Sequence, residues 1–139
     1  MKILVSACLL GENTRYDGGH CRHEALIAYL RDKEYIAVCP EVLGGLSIPR
    51  LPSELVKDRV LSSTGEDVTA AFIAGANKTL EVALANGCSL AILKSLSPSC
   101  GLGLIFDGNF SGNLVAGKGI TAQILQEQGI TVVNEDFVE

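Results

Sequence analysis

The chain has 139 residues, 47% hydrophobic and 19% charged, the balance of a folded globular protein rather than a disordered one. Sixteen acidic against 11 basic residues give a net charge of −5, which disfavours non-specific binding to large nucleic acids or to an anionic membrane. No repeat, linker or low-complexity tract interrupts it, so residues 1–139 read as one domain, able to bury about two thirds of its unfolded surface.

The segment from Met1 to Cys8, which contains the first apolar run Ile3–Cys8, superficially resembles a lipoprotein signal ending in its cysteine. Its apolar core, Ile3 to Ala7, is shorter than the roughly 7–15 residues such a signal needs, so a buried first strand is expected. Tyr35–Cys39, Ser89–Lys94 and Ile130–Val133 are three further apolar runs, and Leu104–Phe106 adds a short hairpin or edge segment. Runs apolar on both sides suit strands of a parallel sheet covered on two faces. Helical patterns lie between them. His23–Lys33 carries Leu26, Ile27 and Leu30 on one face, and Gly65–Asn86 places Val68, Phe72, Ala76, Leu80 and Ala83 along one stripe. Thr64 with Asp67 supplies a start signal for that helix and Asn86-Gly87 a stop; a third helix, Gly119–Gln128, stops at Gly129. The alternation predicts a single-domain α/β, Rossmann-like sandwich with a mostly parallel sheet. No run approaches the ~20 apolar residues that span a membrane.

Five cysteines, an odd number without an export signal, suit a reducing compartment, and a cytoplasmic protein is expected. Cys8 and Cys39 end the first two predicted strands, and Cys100 lies in the loop after the third. Ligands of open parallel sheets bind beyond the carboxyl ends of the strands, so three thiols delivered there can meet at one point. Cys88 precedes its strand and falls at the opposite edge; Cys21, just before the first helix, has no evident place. Singly, each cysteine reads most simply as a small buried hydrophobe. No Cys-x-x-Cys spacing is present, so topology rather than spacing carries the case for a shared centre.

The surroundings add chemistry. Cys39-Pro40-Glu41 precedes Gly44-Gly45 and Pro49-Arg50, and Ser97-Pro98-Ser99-Cys100-Gly101 sets hydroxyls beside a thiol. Glu41 alone reads as a surface carboxylate and Ser97 as a turn-former; beside a thiol cluster they are candidates for proton transfer and positioning. Arg15, Arg22, Arg50, Lys94 and Lys118 fall in or beside glycine-rich loops, where a small anion can be met. Gly112 to Lys118 fits the phosphate-loop spacing Gly-x-x-x-x-Gly-Lys, but Gly119 stands where Ser or Thr must bind magnesium, which argues against a nucleoside triphosphatase. The Gly117-Lys118-Gly119 turn opens a helix. It reads equally as a plain connection or as free amides plus Lys118 holding a phosphate or carboxylate.

Ser6-Ala7-Cys8-Leu9-Leu10-Gly11, Arg15-Tyr16-Asp17-Gly18, Cys39-Pro40-Glu41 with Gly44-Gly45, Pro49-Arg50, Ser97-Pro98-Ser99-Cys100-Gly101 and Phe106-Asp107-Gly108 together resemble the thiouracil desulfidase family, long catalogued as a domain of unknown function. The likeness runs from Val5 to nearly the C-terminus. It implies a [4Fe–4S] cluster held by Cys8, Cys39 and Cys100, whose fourth iron is open to the thiocarbonyl sulfur. It also implies Glu41 and Ser97 as the catalytic carboxylate and hydroxyl. Arg15, Arg50 or Lys118 would anchor the substrate, a thiolated pyrimidine base, nucleoside or nucleotide. Many relatives carry cysteine where this chain has Thr14, which bears on any redox or resolving role there. Two other readings compete. One is a cluster-free enzyme with Cys8 or Cys100 as nucleophile, which lacks an evident base because His20 and His23 share one segment. The other is a small phosphate- or nucleotide-binding module built on Gly117–Gly119.

Overall fold

The structure, a computed structural model, describes residues 2–138. Four strands form a parallel sheet: β1 (Ile3–Ser6), β2 (Tyr35–Val38), β5 (Leu90–Leu93) and β8 (Thr131–Asn134), in the order β2-β1-β5-β8. Alternation along these strands fills both faces. Ile3, Val5 and Ile92 pack with Leu9, Leu26 and Leu30 on one side. Leu4, Ala91, Leu93 and Val132 pack with Ala83, Ala122 and Leu125 on the other. Helix α1 (Glu24–Leu30) covers the first face, and α3 (Thr69–Ala85) and α4 (Ile120–Glu127) the second. This is the α/β sandwich that the alternating pattern predicts.

Helix boundaries follow local chemistry. His23 caps α1, its Nδ1 accepting the Leu26 amide at 3.2 Å. Helix α3 begins at Thr69, four residues later than the Thr64 signal suggests. The residues ahead of it are taken by a hairpin of β3 (Ser53–Val56) and β4 (Arg59–Ser62), whose edge pairs Leu61 with Asp67. Asp67 rather than Thr64 supplies the start, its Oδ1 accepting the Thr69 amide at 2.9 Å. The Leu104–Phe106 segment lies in β6 (Leu102–Phe106), which pairs antiparallel with β7 (Leu114–Lys118) outside the main sheet. Lys118 is therefore the last residue of a strand, and Gly119 alone leads into α4.

A one-turn helix, α2 (Pro40–Leu43), follows β2 directly and sits on α3 at backbone contact. A methyl group added to Gly75 of α3 would lie 1.9 Å from the Pro40 carbonyl oxygen; one added to Gly44 would lie 2.0 Å from that of Ala71. Only glycine at both positions permits this approach, which fixes where Glu41 points. Among the described residues, no helix is long and apolar enough to cross a membrane.

Candidate functional site

At the carboxyl edge of the parallel sheet lies a cavity of about 460 Å³. Cys8 enters it from the 3-10 turn Ala7–Leu10 that ends β1, Cys39 from the start of α2 after β2, and Cys100 from the loop after β5. Each reaches the edge for a backbone reason. Gly11, with φ of 96°, closes the turn carrying Cys8, and Pro40 at the first helical position ends β2 at Cys39. Ser97 Oγ accepts the amides of Ser99 at 3.0 Å and Cys100 at 3.1 Å, folding the loop that presents Cys100. Cys100 is buried and receives the Ser6 hydroxyl at 3.7 Å, while the Cys39 thiol faces the Thr14 carbonyl at 3.7 Å. Cys88 is buried just ahead of β5, at the opposite edge of the sheet, and does not line the cavity.

The three thiols feel one another. Burial pushes Cys8 up to about 12, reinforced by Cys21 and Cys39 and opposed by Lys94 and Arg15. Burial likewise raises Cys100, the Ser6 hydroxyl opposing, and Glu41, Cys39 and Cys8 adding to the rise. Left to themselves Cys8 and Cys100 stay protonated, the reverse of a free nucleophilic cysteine. Neither His20 nor His23 lines the cavity. Charging three converging thiols together requires a cationic centre between them. No three His, Cys, Asp or Glu side chains among the described residues close round a single ion. An iron–sulfur cubane asks for something else: each cysteine takes its own iron corner, so the sulfurs stand further apart than the ligands of one ion. Three thiols with no fourth cysteine or histidine in the lining fit such a cluster with one corner open.

Glu41, Ser97, Arg15 and Arg50 line the same cavity. Arg50 grips Glu41 Oε2 with Nε at 2.8 Å and a terminal nitrogen at 2.7 Å, and also donates to the carbonyls of Thr14 (2.9 Å) and Ser47 (3.1 Å). Oε1 of Glu41 is left for the Ser97 hydroxyl, 3.4 Å away. Arg50 thus orients the carboxylate rather than standing free for a substrate. Arg15 donates to Cys21 Sγ at 3.0 Å and lies over the Tyr16 ring, which gives Cys21 a place beside Cys8 as the partner of a cavity-lining cation. The Thr14 hydroxyl is buried without a protein partner.

Lys118 does not join this group. Exposed at the end of β7, it lines a separate shallow depression with Gln123, Gln126 and Glu127. The amides that open α4 are not free either. Gly119, Ile120 and Thr121 donate to the carbonyls of Gly101 (2.7 Å), Pro98 (3.0 Å) and Ser99 (2.8 Å). Those amides are spent on the Cys100 loop, which favours the plain connection over the anion site among the two readings of Gly117–Gly119.

Lys94, Glu54 and Phe110 are among the cavity residues that no sequence motif marks clearly. Lys94, at the carboxyl end of β5, has its ammonium tied to Glu135, the Ser95 carbonyl and the Ser95 hydroxyl, each at 3.1 Å. Its strand-end position was the available signal. Glu54 lies on β3, in a hairpin without a recognised strand pattern, and Phe110 lies between β6 and β7, a hairpin of which only Leu104–Phe106 was expected.

An open parallel sheet whose carboxyl edge gathers three thiols, a clamped carboxylate and a hydroxyl around one cavity defines an α/β protein built for thiol-ligated chemistry. The chain belongs to the 2-thiouracil desulfurase family, whose model matches residues 3–136. It is 46% identical to a solved [4Fe–4S]-dependent thiouracil desulfidase, TudS, covering 97% of this chain and 91% of that one with a TM-score of 0.92. It is also 40% identical over 144 residues to the uncharacterized protein YbbK of Bacillus subtilis (strain 168), covering 96% of this chain and 95% of that one.

Proposed function

We propose that the protein is a [4Fe–4S]-dependent desulfidase that converts the C=S group of a small thiolated pyrimidine to C=O. The observation that carries this reading is the convergence of Cys8, Cys39 and Cys100 on one cavity with Glu41 and Ser97, in a member of the desulfurase family. Cys8, Cys39 and Cys100 would hold the cluster, which when bound supplies an open iron that polarises the thiocarbonyl and accepts its sulfur.

The chain's own residues do the rest. Glu41 takes a proton from the water that adds to the electrophilic ring carbon. Arg50, on Oε2, holds that carboxylate in one orientation and leaves Oε1 to the Ser97 hydroxyl. Ser97, hydrogen-bonded to Oε1, positions the water and relays its proton. The carbon–sulfur bond then breaks, the carbonyl forms, and sulfur departs as sulfide. Water in and hydrogen sulfide out balance without net electron transfer. Arg15, partly exposed at the cavity wall, is the remaining cation for the substrate's ring oxygen.

Anaerobic reconstitution tests the reading. A brown protein with about three to four irons and matching acid-labile sulfide, releasing sulfide and uracil from 2-thiouracil, is the expected result. Colourless protein that turns over equally well, or loaded protein inert toward every thiolated pyrimidine, would overturn it.

A further inference from the structure

The geometry points to Phe110 as the platform on which the planar ring of the substrate stacks, with Glu54 as the residue that holds the platform in place. This rests on the reading that the cavity receives a thiolated pyrimidine. Phe110 sits at the tip of the β6–β7 hairpin and lines the cavity that Cys8, Cys39 and Cys100 share. Its backbone is left-handed, with φ of 53°, an unfavourable region for a bulky side chain that persists only when its surroundings impose it. The imposing group is Glu54, 8% exposed, whose Oε1 accepts the amides of Gly108 at 3.0 Å and Phe110 at 3.2 Å. Gly108 adds a second restraint: a methyl group there would lie 2.6 Å from the Leu55 carbonyl, so the tip rests on β3 at backbone contact.

A buried carboxylate and a strained backbone are both unfavourable. Here both serve to hold one phenyl ring that remains 39% exposed. Among the described residues the ring contacts join Tyr29 to Phe137, Lys33 to Tyr29 and Arg15 to Tyr16, and none engages Phe110. An uncharged aromatic side chain on a backbone held in place, without an aromatic or cationic partner among the described ring contacts, is complementary at the wall of a cavity to another planar ring. Such a face takes a heterocycle by offset stacking and is indifferent to whether the ring carries oxygen or sulfur.

Uracil, which has no thiocarbonyl, is therefore the probe, titrated calorimetrically into the cluster-loaded protein. Wild type binds it; Phe110→Leu binds roughly 5- to 150-fold more weakly, and Phe110→Tyr binds nearly as well as wild type. Glu54→Ala weakens binding as Phe110→Leu does, while Glu54→Gln, which keeps the acceptor, weakens it less. With 2-thiouracil as substrate the Phe110→Leu loss appears in KM, with kcat little moved. Iron content and melting temperature establish that each variant is folded. Wild type that does not bind uracil, or Phe110→Leu and Glu54→Ala that bind it as wild type does, would overturn the platform. Phe110-dependent uracil binding without any desulfidation of 2-thiouracil would leave the platform standing and defeat the desulfidase reading instead.

Discussion

Replacing Gly75 by alanine sets two effects of known sign against each other. In the interior of an ordinary helix the change stabilises by about 1 kcal/mol, because alanine restricts the unfolded chain and favours the helix. Gly75 is not ordinary: the added methyl would stand 1.9 Å from the Pro40 carbonyl oxygen and 3.1 Å from the Gly44 amide. An ordinary carbon–oxygen contact is about 3.2 Å, so α2 must retreat from α3 by roughly 1.3 Å or deform. Overpacking of this kind costs about 1–3 kcal/mol, which outweighs the propensity gain and lowers Tm by several degrees. Glu41 rides on α2, and a displacement of about 1 Å at a reacting group costs on the order of 10²-fold in rate. Thermal melts and 2-thiouracil turnover by cluster-loaded protein measure both effects. A Gly75→Ala variant with raised Tm and unchanged kcat would refute the reasoning, because it would mean that α2 and Glu41 do not depend on that contact.

Cys8→Ser, Cys39→Ser and Cys100→Ser should each lose most of their iron after anaerobic reconstitution. Cys88→Ser, whose thiol is buried and does not line the cavity, should keep its iron while melting lower. Equal iron loss in the Cys88 variant would sink the ligand assignment. Glu41→Gln and Ser97→Ala should retain the visible absorbance of the cluster and lose about 10²–10⁴-fold in kcat, the usual cost of a missing general base or its proton relay; near-normal turnover would reduce both to scaffold. Glu135→Gln tests a charge network by pH. Burial pushes the Glu135 carboxyl up, but its own backbone amide, the Ser95 amide and Lys94 outweigh burial and hold it below its ordinary value of 4.5. A depressed folded value means stability that is present above about pH 4.5 and lost as pH falls through the folded value. The variant should therefore be less stable by about 1–3 kcal/mol at pH 7 and converge with wild type in acid; a constant gap across the range would contradict the ionised network.

What the sequence disclosed and what it hid divide along a physical line. The central strands of the parallel sheet are buried on both faces and its edge strands partly so, and Ile3–Ser6, Tyr35–Val38, Leu90–Leu93 and Thr131–Asn134 all stood out as apolar runs, each within a residue or two of its observed ends. Once those ends were known, the rule that open parallel sheets bind at their carboxyl edge was enough to bring Cys8, Cys39 and Cys100 to one place and send Cys88 to another. The two hairpins follow a different rule. The turn joining β3 to β4 runs through Lys57 at φ of 60°, where asparagine or glycine would have announced a turn, and in β6–β7 the glycines at 103 and 117 interrupt any alternation. Val115 and Leu114 lie exposed on β7, so no buried face wrote a period of two into that strand.

The same division explains the misplacement of Lys118 and the invisibility of Glu54 and Phe110. Spacing such as Gly-x-x-x-x-Gly-Lys describes a backbone path only if strand and helix fall where the motif needs them. Here β7 runs to Lys118 itself, and the helix amides are already claimed by Pro98, Ser99 and Gly101. Glu54 reaches the cavity because a hairpin folds over the sheet edge, and a hairpin's reach is set by pairing register rather than by composition. Arg50 shows the consequence for chemistry. From sequence it is a cation near glycines, open to any anion. In the fold its backbone amide is held by the Tyr16 carbonyl at 2.7 Å and its guanidinium spans Glu41, Thr14 and Ser47. That guanidinium joins the first loop, the one after β2 and the carboxylate into one rigid wall. Such a wall holds Glu41 in a single orientation before any substrate arrives; in the proposed reaction, turning the carboxylate toward the reacting carbon would then add nothing to the barrier.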